Sequence, residues 1–309
     1  MSAPFRCGFV GILGRPNVGK STLMNRILGQ KLAITTPKPQ TTRDRIKGIR
    51  TWEDPAAPWQ AIFVDTPGIH EARTRLNRYM VDLAVATVGE VDLCYVLADA
   101  ARAATDPAKA AEDLKPIAEH VAVASKRAFL VLNKIDKVPD KSVLFTIIEA
   151  LAPVYAWAEV VPVSAKKTDN LGRLLEVTRL ALPEGPPLFE ADELTDRPMR
   201  FIAKEIIREQ LFLQLGQELP YSMAVDILSW EEKQDVVVIH ANVHVERKSH
   251  KPIVVGRQGA QIKAIGEKAR KGIERFVERK VFLDLRVKVD ESWTERPGGL
   301  AELGYDELK

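Results

Sequence analysis

The chain has 309 residues, of which 46% are hydrophobic, and its 45 basic and 42 acidic side chains give a formal net charge of +3. This length and composition predict two globular domains with cores of their own. No apolar run reaches transmembrane length, and residues 1–6 lack the features of a signal peptide, which predicts a cytoplasmic protein. The two cysteines, Cys7 and Cys94, lie in apolar runs and predict buried free thiols, as in a reducing compartment.

Residues 14–22 read GRPNVGKST and directly follow an apolar run at 9–13. A GxxxxGKS sequence between a strand and a helix is typical of a phosphate-binding loop, whose backbone N–H groups point at a β-phosphate. Lys20 is then expected to reach the β- and γ-phosphates, and the Ser21 hydroxyl to ligate Mg²⁺. A glycine-rich turn that only caps a helix is the alternative. The expected nucleotide contacts in this loop are Gly14, Asn17, Val18, Gly19, Lys20, Ser21 and Thr22.

A later apolar run ends in NKID at residues 133–136, and this motif predicts which base is bound. The carboxylate of Asp136 can accept hydrogen bonds from N1–H and the exocyclic amine of guanine, whereas adenine has no matching pair of donors on that edge. Asn133 is expected to brace the site and Lys134 to lie along the base. A third segment, in which a backbone N–H can meet the guanine O6, consists of Ser164, Ala165 and Lys166. The predicted ligands are GTP and GDP.

Two further motifs supply metal-binding and switch residues. DTPG at residues 65–68 follows an apolar run, so Asp65 can hold Mg²⁺ through water and the N–H of Gly68 can sense a γ-phosphate. Upstream, the polar segment QTTRD carries a threonine hydroxyl that can close on the metal, and we prefer Thr42 to Thr41. The expected metal ligands are therefore Ser21, Thr42 and Asp65, and the residues expected to act in hydrolysis are Lys20, Thr42 and Gly68.

In this order, the elements GRPNVGKST, QTTRD, DTPG, NKID and SAK resemble the five boxes of the translation-factor-like GTPases, in particular the small ribosome-associated Era family. The resemblance covers about residues 5–182 and implies an α/β P-loop GTPase domain with a mainly parallel sheet. One position departs from the Ras-like pattern, because Ile69 stands where a water-orienting Gln would follow DxxG. The resemblance implies slow turnover that is accelerated either by a monovalent cation such as K⁺ or by a partner.

The second part of the chain follows a proline-rich stretch, LPEGPP at 182–187, and predicts a different fold. The expected elements are a helix, two strands at 224–230 and 236–245, two helices separated by the loop GRQG, and a strand at 281–289. This is the element order of a type II KH domain, a smaller α+β unit. A GxxG loop allows the backbone to approach the phosphates of single-stranded RNA.

Charge supports an RNA site beside this loop. The window 246–280 contains eleven Lys or Arg and four Glu, an excess of seven positive charges. Such a patch is the electrostatic footprint expected for a phosphate backbone. The expected RNA contacts are Lys251, Ile253, Gly256, Arg257, Gln258, Gly259 and Lys263. The basic residues farther along the helix are equally consistent with a solvated helix face, namely Lys268, Arg270, Lys271 and Arg279.

These patterns predict four segments: a GTPase domain at 1–182, a linker at 183–199, a KH domain at 200–292 and a C-terminal tail at 293–309. In the tail, the sequence PGG at 297–299 predicts that any terminal helix begins late or is frayed.

The segments VVGRQGAQIKAIGEKAR and KVFLDLRVKV extend the resemblance to the Era family over nearly the whole chain. It implies a GTP-hydrolysing switch whose KH domain recognises the 3′ region of 16S ribosomal RNA and which assists 30S subunit assembly. It also implies a monomer, with contact to the inner face of the cell membrane left open. Two alternatives remain: a GTPase that regulates membrane or tRNA-related processes, and an RNA-binding module without significant turnover.

Overall fold

The computed structural model describes residues 4–72, 74–216, 219–296 and 298–305. The first residues, Met1 to Ala3, and the tail proline Pro297 lie outside the described residues. The chain divides into two compact units. The first unit comprises residues 1–33, 42–71 and 80–196, and the second comprises residues 34–41, 72–79 and 197–309.

The first unit is built on a six-stranded sheet with the order β2-β3-β1-β4-β5-β6. Its strands are β1 (Arg6–Gly14), β2 (Ile46–Trp52), β3 (Trp59–Asp65), β4 (Leu93–Asp99), β5 (Arg127–Asn133) and β6 (Glu159–Pro162). Only the β2–β3 pair is antiparallel; the other four pairs within the sheet are parallel. The helices between β1 and residue 182 are α1 (Lys20–Leu28), α2 (Arg75–Glu90), α3 (Ala100–Thr105), α4 (Pro107–Val123), α5 (Val143–Leu151) and α6 (Leu171–Ala181).

The central strands are apolar along nearly their whole length because both faces of a parallel sheet are covered by helices. All seven residues of β3 are buried, and so are six of the seven in β4 and β5. Cys94 belongs to this core, and Cys7 is also a buried free thiol, as predicted. Burial raises the pKa of the Cys94 thiol to about 12. The buried sheet fixes the positions of the loops that follow its carboxyl ends.

Strand register brings the predicted motifs to one edge of this sheet. Ile12 pairs with Asp65 between β1 and β3, and Asp99 pairs with Asn133 between β4 and β5. The loop after β1 therefore meets the ends of β3, β4 and β5, although these residues are far apart in sequence.

The predicted linker is more closely packed than its proline-rich sequence suggests. The Pro183 carbonyl accepts a hydrogen bond from the Cys7 N–H at 3.1 Å, and the Leu194 carbonyl accepts one from the Ile49 N–H at 2.8 Å. Because these backbone groups are bonded to the amino-terminal half of the first unit, that unit extends to Asp196 rather than ending at residue 182.

The second unit contains a three-stranded sheet with the order β7-β8-β9, in which β7–β8 is antiparallel and β8–β9 is parallel. Its strands are β7 (Met223–Glu232), β8 (Val236–Val245) and β9 (Lys280–Val289). Its helices are α7 (Met199–Gln214), α8 (His250–Val255), α9 (Ala260–Val277) and the short α10 (Gly299–Glu302). Apolar side chains of α7 and α9 pack on one face of the sheet. The element order predicted for the KH fold, and the fold class as a whole, are confirmed.

Residues assigned to the tail are part of this unit. Trp293 and Tyr305 are both fully buried, with stacked rings whose centroids lie 5.9 Å apart. The Trp293 indole N–H donates to the Ser222 carbonyl at 3.1 Å, and Lys204 Nζ lies 4.8 Å from the centre of the Tyr305 ring. The aromatic packing extends the second unit past the predicted boundary at 292. A short helix does begin late in the tail, at Gly299.

No helix in the ranges that the structure describes is both long and apolar enough to cross a membrane.

Candidate nucleotide and RNA sites

The loop between β1 and α1 has the backbone shape of a phosphate cradle. Gly14, Asn17 and Gly19 have φ angles of 150°, 65° and 101°, so the loop turns sharply before α1 begins at Lys20. A Cβ on Gly14 would lie 2.9 Å from the Leu97 carbonyl oxygen, and one on Gly19 would lie 2.3 Å from Asn133 Nδ2. Larger residues are therefore excluded at both positions by φ and by space.

Lys20 is buried at the base of this loop. Its Nζ donates to the carbonyl oxygens of Gly14 and Arg15, both at 3.1 Å. Burial lowers the pKa of Lys20 to about 8, against the opposing attraction of Asp65. A buried ammonium is a strong binding group for an anion, because an opposite charge offsets its desolvation.

Three oxygen atoms from three separate motifs converge beside Lys20. Ser21 Oγ donates to Asp65 Oδ2 at 2.6 Å, and Thr42 Oγ1 lies 3.0 Å from Ser21 Oγ and 3.3 Å from Asp65 Oδ2. Burial raises the pKa of Asp65 to about 6, although the Lys20 charge and these hydroxyls oppose the change. The other carboxylate oxygen, Asp65 Oδ1, is buried without a hydrogen-bond partner in the described part of the chain. This donor set fits Mg²⁺, which prefers hard oxygen ligands.

The two candidate threonines have different surroundings. Thr41 Oγ1 bonds with Thr36 Oγ1 at 2.7 Å and with the Lys38 carbonyl at 2.9 Å. Thr42 Oγ1, in contrast, lies with Ser21 and Asp65. Thr42 therefore lies with the two other expected metal ligands, and its choice over Thr41 stays a prediction.

Gly68 approaches the phosphate loop closely. A Cβ at this position would lie 2.6 Å from the backbone nitrogen of Pro16, so only glycine fits. The next residue, Ile69, donates its N–H to the Gly14 carbonyl at 3.2 Å, while its side chain is buried in the core with Leu13 and Val64. The Ile69 side chain thus contributes to the packing of the core.

The NKID and SAK segments are joined by direct hydrogen bonds. Asn133 Nδ2 donates to the Val18 carbonyl at 2.9 Å, and Asn133 Oδ1 accepts the Ala165 N–H at 3.0 Å. Ser164 Oγ donates to Asp136 Oδ1 at 2.6 Å. Asn133 therefore links the phosphate loop to the SAK loop, and Ser164 orients the carboxylate that is expected to read guanine. The structure brings together the predicted residues of all five motifs in the first unit.

In the second unit, the predicted GxxG loop joins α8 to α9. Gly256 has φ 74°, and a Cβ there would lie 2.6 Å from the Gln261 Cβ. Gln258 and Gly259 are also left-handed, with φ of 51° and 79°. Exposed residues around this loop include Lys251, Ile253, Arg257, Gln258 and Lys263.

Some of the more distant basic residues are engaged in ion pairs. Arg270 Nη1 lies 2.8 Å from Glu274 Oε1, and Arg279 Nη1 lies 3.1 Å from Glu232 Oε2. These pairs favour a structural role for the two arginines over phosphate binding. Lys263, in the first turn of α9, is exposed next to the loop.

Sequence reasoning missed Asp99, whose carboxylate contacts Lys134 of the NKID motif with 2.6 Å between Lys134 Nζ and Asp99 Oδ2. A carboxylate at the end of a buried strand on the same sheet edge was the available signal. It also missed Asn25, whose Oδ1 accepts the N–H groups of Leu32 and Ala33 at 3.0 and 2.8 Å and fixes the loop after α1.

Comparisons with known proteins agree with this geometry. A family model described as a 50S ribosome-binding GTPase matches residues 9–134, and a KH domain model matches residues 218–294. The chain is 47% identical over 303 residues to GTPase Era of Trichlorobacter lovleyi and 48% identical over 304 residues to GTPase Era of Geobacter metallireducens, covering 98% of both chains in each case.

Solved structures give the same result. A crystal structure of an Aquifex aeolicus Era variant bound to GDP and AlF4⁻ has a TM-score of 0.90 and 36% identity, and covers 97% of this chain and 99% of that one. A structure of Era in complex with MgGDPNP and nucleotides 1506–1542 of 16S ribosomal RNA matches with the same TM-score, identity and coverage. Since relatives far above 30% identity span almost the full length, this chain belongs to the GTPase Era family.

Proposed function

We propose that this chain binds GTP and GDP with Mg²⁺ at the loop 14–22, hydrolyses GTP, and uses its KH unit to bind 16S ribosomal RNA near the 3′ end during 30S subunit assembly. The proposal rests on the convergence of the Ser21 and Thr42 hydroxyls on Asp65 Oδ2 near the buried Lys20, while Asp65 Oδ1 is buried without a hydrogen-bond partner among the described residues. A site with these groups is suited to a metal-bound triphosphate.

Each of these groups has a distinct part in hydrolysis. Lys20 stabilises negative charge on the β- and γ-phosphates, and the loop N–H groups bind the β-phosphate. Ser21, Thr42 and Asp65 hold Mg²⁺, which, when bound, neutralises charge on the phosphate oxygens. We infer that the Gly68 N–H senses the γ-phosphate, and the close approach of Gly68 to Pro16 of the phosphate loop supports this role.

The attacking water requires a group other than Ile69, because that side chain is apolar and lies in the core. We infer that a monovalent cation such as K⁺, or a partner, completes the site. Hydrolysis by the chain alone is then slow, since the Ile69 side chain cannot polarise the water.

RNA binding is assigned to the loop between α8 and α9. Gly256 and Gly259 let the backbone approach phosphates, while Arg257 and Lys263 add positive charge. The exposed Ile253, with 56% of its surface accessible, offers an apolar contact for an unstacked base. The 16S ribosomal RNA fragment bound by a relative with the same fold supports this target.

A switch needs a link between the nucleotide and the RNA-binding unit, and the second unit contains a segment that can supply one. Within that unit, the Thr35 N–H donates to Glu209 Oε1 of α7 at 2.9 Å, and Lys38 Nζ donates to the Leu215 carbonyl at 2.7 Å. The same segment continues directly into Thr42. We infer that hydrolysis changes the position of Thr42 and that residues 34–41 transmit this displacement to α7.

The expected setting is the cytoplasm, with the chain acting as a monomer on the 30S subunit. The alternative target for the exposed basic residues of α9 is anionic lipid at the inner face of the membrane, and RNA crosslinking distinguishes the two targets.

The test combines turnover with RNA capture. Purified protein should hydrolyse GTP and not ATP, and crosslinking to total RNA should enrich the 3′ end of 16S ribosomal RNA with a yield that differs between GTP and GDP. Equal turnover of ATP, or crosslinks spread evenly over all RNA, would refute the proposal.

A further inference from the structure

Asp99, the last residue of β4, is a carboxylate with two separate sets of partners. Its side chain is 11% exposed. Oδ1 accepts the backbone N–H groups of Ala101 and Arg102 at 3.0 and 3.3 Å, which caps α3. Oδ2 instead accepts from Lys134 Nζ at 2.6 Å.

Lys134 is held from two sides by these contacts. Its Nζ donates to the Asn17 carbonyl in the phosphate loop at 2.5 Å as well as to Asp99. Its own backbone is left-handed, with φ 68°, and its N–H donates to Asn133 Oδ1 at 2.8 Å. A lysine stem has four rotatable bonds, so fixing both of its ends determines the course of the stem between them.

Strand pairing explains why these two residues meet. Asp99 is paired in register with Asn133 across β4 and β5. Lys134, the residue after Asn133, therefore leaves the sheet edge close to Asp99. The ion pair joins the end of β4 to the expected base-recognition loop after β5. The pairing of these two strands therefore sets the contact.

We propose that Asp99 is a positioning residue for the guanine nucleotide: it holds the Lys134 stem in the orientation that lies along the base. This inference rests on the proposed function, in which the NKID segment binds guanine. With the Oδ2 contact removed, Lys134 samples more rotamers and must be ordered again at each binding event. Nucleotide affinity therefore falls, mainly through faster dissociation.

The chemical step is unaffected by this change. The carboxylate of Asp99 bonds with Ala101, Arg102 and Lys134, whereas Ser21, Thr42 and Asp65 bond with one another. A variant of Asp99 should consequently raise KM for GTP while leaving kcat at saturation the same.

The competing explanation is that Asp99 only caps α3. Asp99→Asn separates the two roles, because the amide oxygen still accepts the backbone N–H groups while the amide NH₂ cannot accept from Lys134. Asp99→Ser separates them in the same way with a shorter side chain. Asp106 is a matched control, since its Oδ1 caps α4 by accepting the Lys109 N–H at 2.9 Å.

The experiment measures GDP dissociation by stopped flow with a fluorescent GDP analogue, together with kcat, KM and the thermal midpoint of the full chain. For Asp99→Asn we expect GDP affinity to fall ~10-fold, the equivalent of about 1.4 kcal/mol, with kcat and the thermal midpoint unchanged. Asp106→Asn should leave GDP affinity unchanged. In a Lys134→Met background, Asp99→Asn should have no further effect, because its target is gone.

Three results would overturn the inference: wild-type GDP affinity in Asp99→Asn, an equal loss of affinity with Lys134→Met present, or a loss seen equally in Asp106→Asn. If Asp99→Asn does not fold, Asp99→Ser replaces it in the same measurements, with the same expected results. Failure of the unaltered protein to prefer GDP over ADP would refute the proposed function itself, so the two failures can be told apart.

Discussion

Ser21 and Asp65 lie 44 positions apart in sequence and are joined by a hydrogen bond of 2.6 Å between Ser21 Oγ and Asp65 Oδ2. Ser21 stands at the start of α1 and Asp65 at the end of β3. The pairing of β1 with β3 sets the distance between them. The central sheet thereby preorganises two expected metal ligands, which limits the cost of ordering them.

Removing the buried ammonium should stop hydrolysis without unfolding the KH unit. Lys20→Ala takes away the group that stabilises charge on the transferred phosphate, and we expect turnover to fall ~100-fold or more. The core of the second unit is separate, so hydrogen exchange in β7, β8 and β9 should not change. Lys115→Ala, at an exposed position of α4, is the control and should retain full turnover. Rapid exchange throughout β8 in the Lys20 variant would show that the units do not fold independently.

Base choice should be convertible at Asp136. Asp136→Asn keeps an oxygen for the Ser164 hydroxyl but replaces a carboxylate acceptor by an amide donor, which suits xanthine better than guanine. GTP affinity should fall and XTP affinity should rise, as measured by competition against a fluorescent nucleotide. A variant that lost affinity for both nucleotides equally would show that Asp136 supports the loop and does not read the base.

The GxxG loop should carry the RNA affinity. Changing Arg257→Asp together with Gln258→Asp places negative charge against the phosphates, so binding to single-stranded RNA should weaken strongly while GTP affinity stays the same. Lys271→Asp with Arg279→Asp is the matched control and should do far less, because Arg279 is already paired with Glu232. Titration with a labelled RNA oligonucleotide gives both values. Undiminished RNA affinity in the loop variant would place the RNA site elsewhere.

The second unit should lose stability in acid through His244. Burial lowers the pKa of His244 below its usual 6.5, although Asp290 and Asp226 oppose the change. The folded state then binds fewer protons than the unfolded state, so stability is present above about pH 6.5 and is lost as pH falls through the lower folded pKa.

Hydrogen exchange of β8 as a function of pH measures this effect. His244→Gln cannot take up the proton and should flatten the acid dependence, whereas His120→Gln, in α4 of the first unit, should not alter it. A His244 imidazole that titrates above 6.5 by NMR would contradict the expected direction.

The sequence predicted the parts of the structure that are determined locally. The phosphate loop, the NKID segment and the KH element order each depend on short motifs beside apolar runs, and the folded chain contains all of them. Parallel strands bring their carboxyl ends to one edge, so convergence of these motifs was also predictable.

Contacts that depend on distant packing were not predictable. The Trp293 indole N–H donates to the carbonyl of Ser222, 71 positions away, and no local sequence pattern predicts that hydrogen bond. Lys38 Nζ donates to the carbonyl of Leu215, which directly follows α7 and lies 177 positions away. The polar sequence around Lys38 does not predict this partner. In the sequence alone, Asp99 resembles an ordinary helix cap, because its position opposite Asn133 depends on the register of β4 and β5.

The nucleotide state of the first unit is expected to control RNA binding by the second. The most direct measurement is the affinity of the unaltered protein for a single-stranded RNA oligonucleotide from the 3′ end of 16S ribosomal RNA, determined in saturating GDP and in a saturating non-hydrolysable GTP analogue with Mg²⁺. The two affinities should differ by ~5-fold or more, the range typical of allosteric coupling. Equal affinities in both states would contradict it.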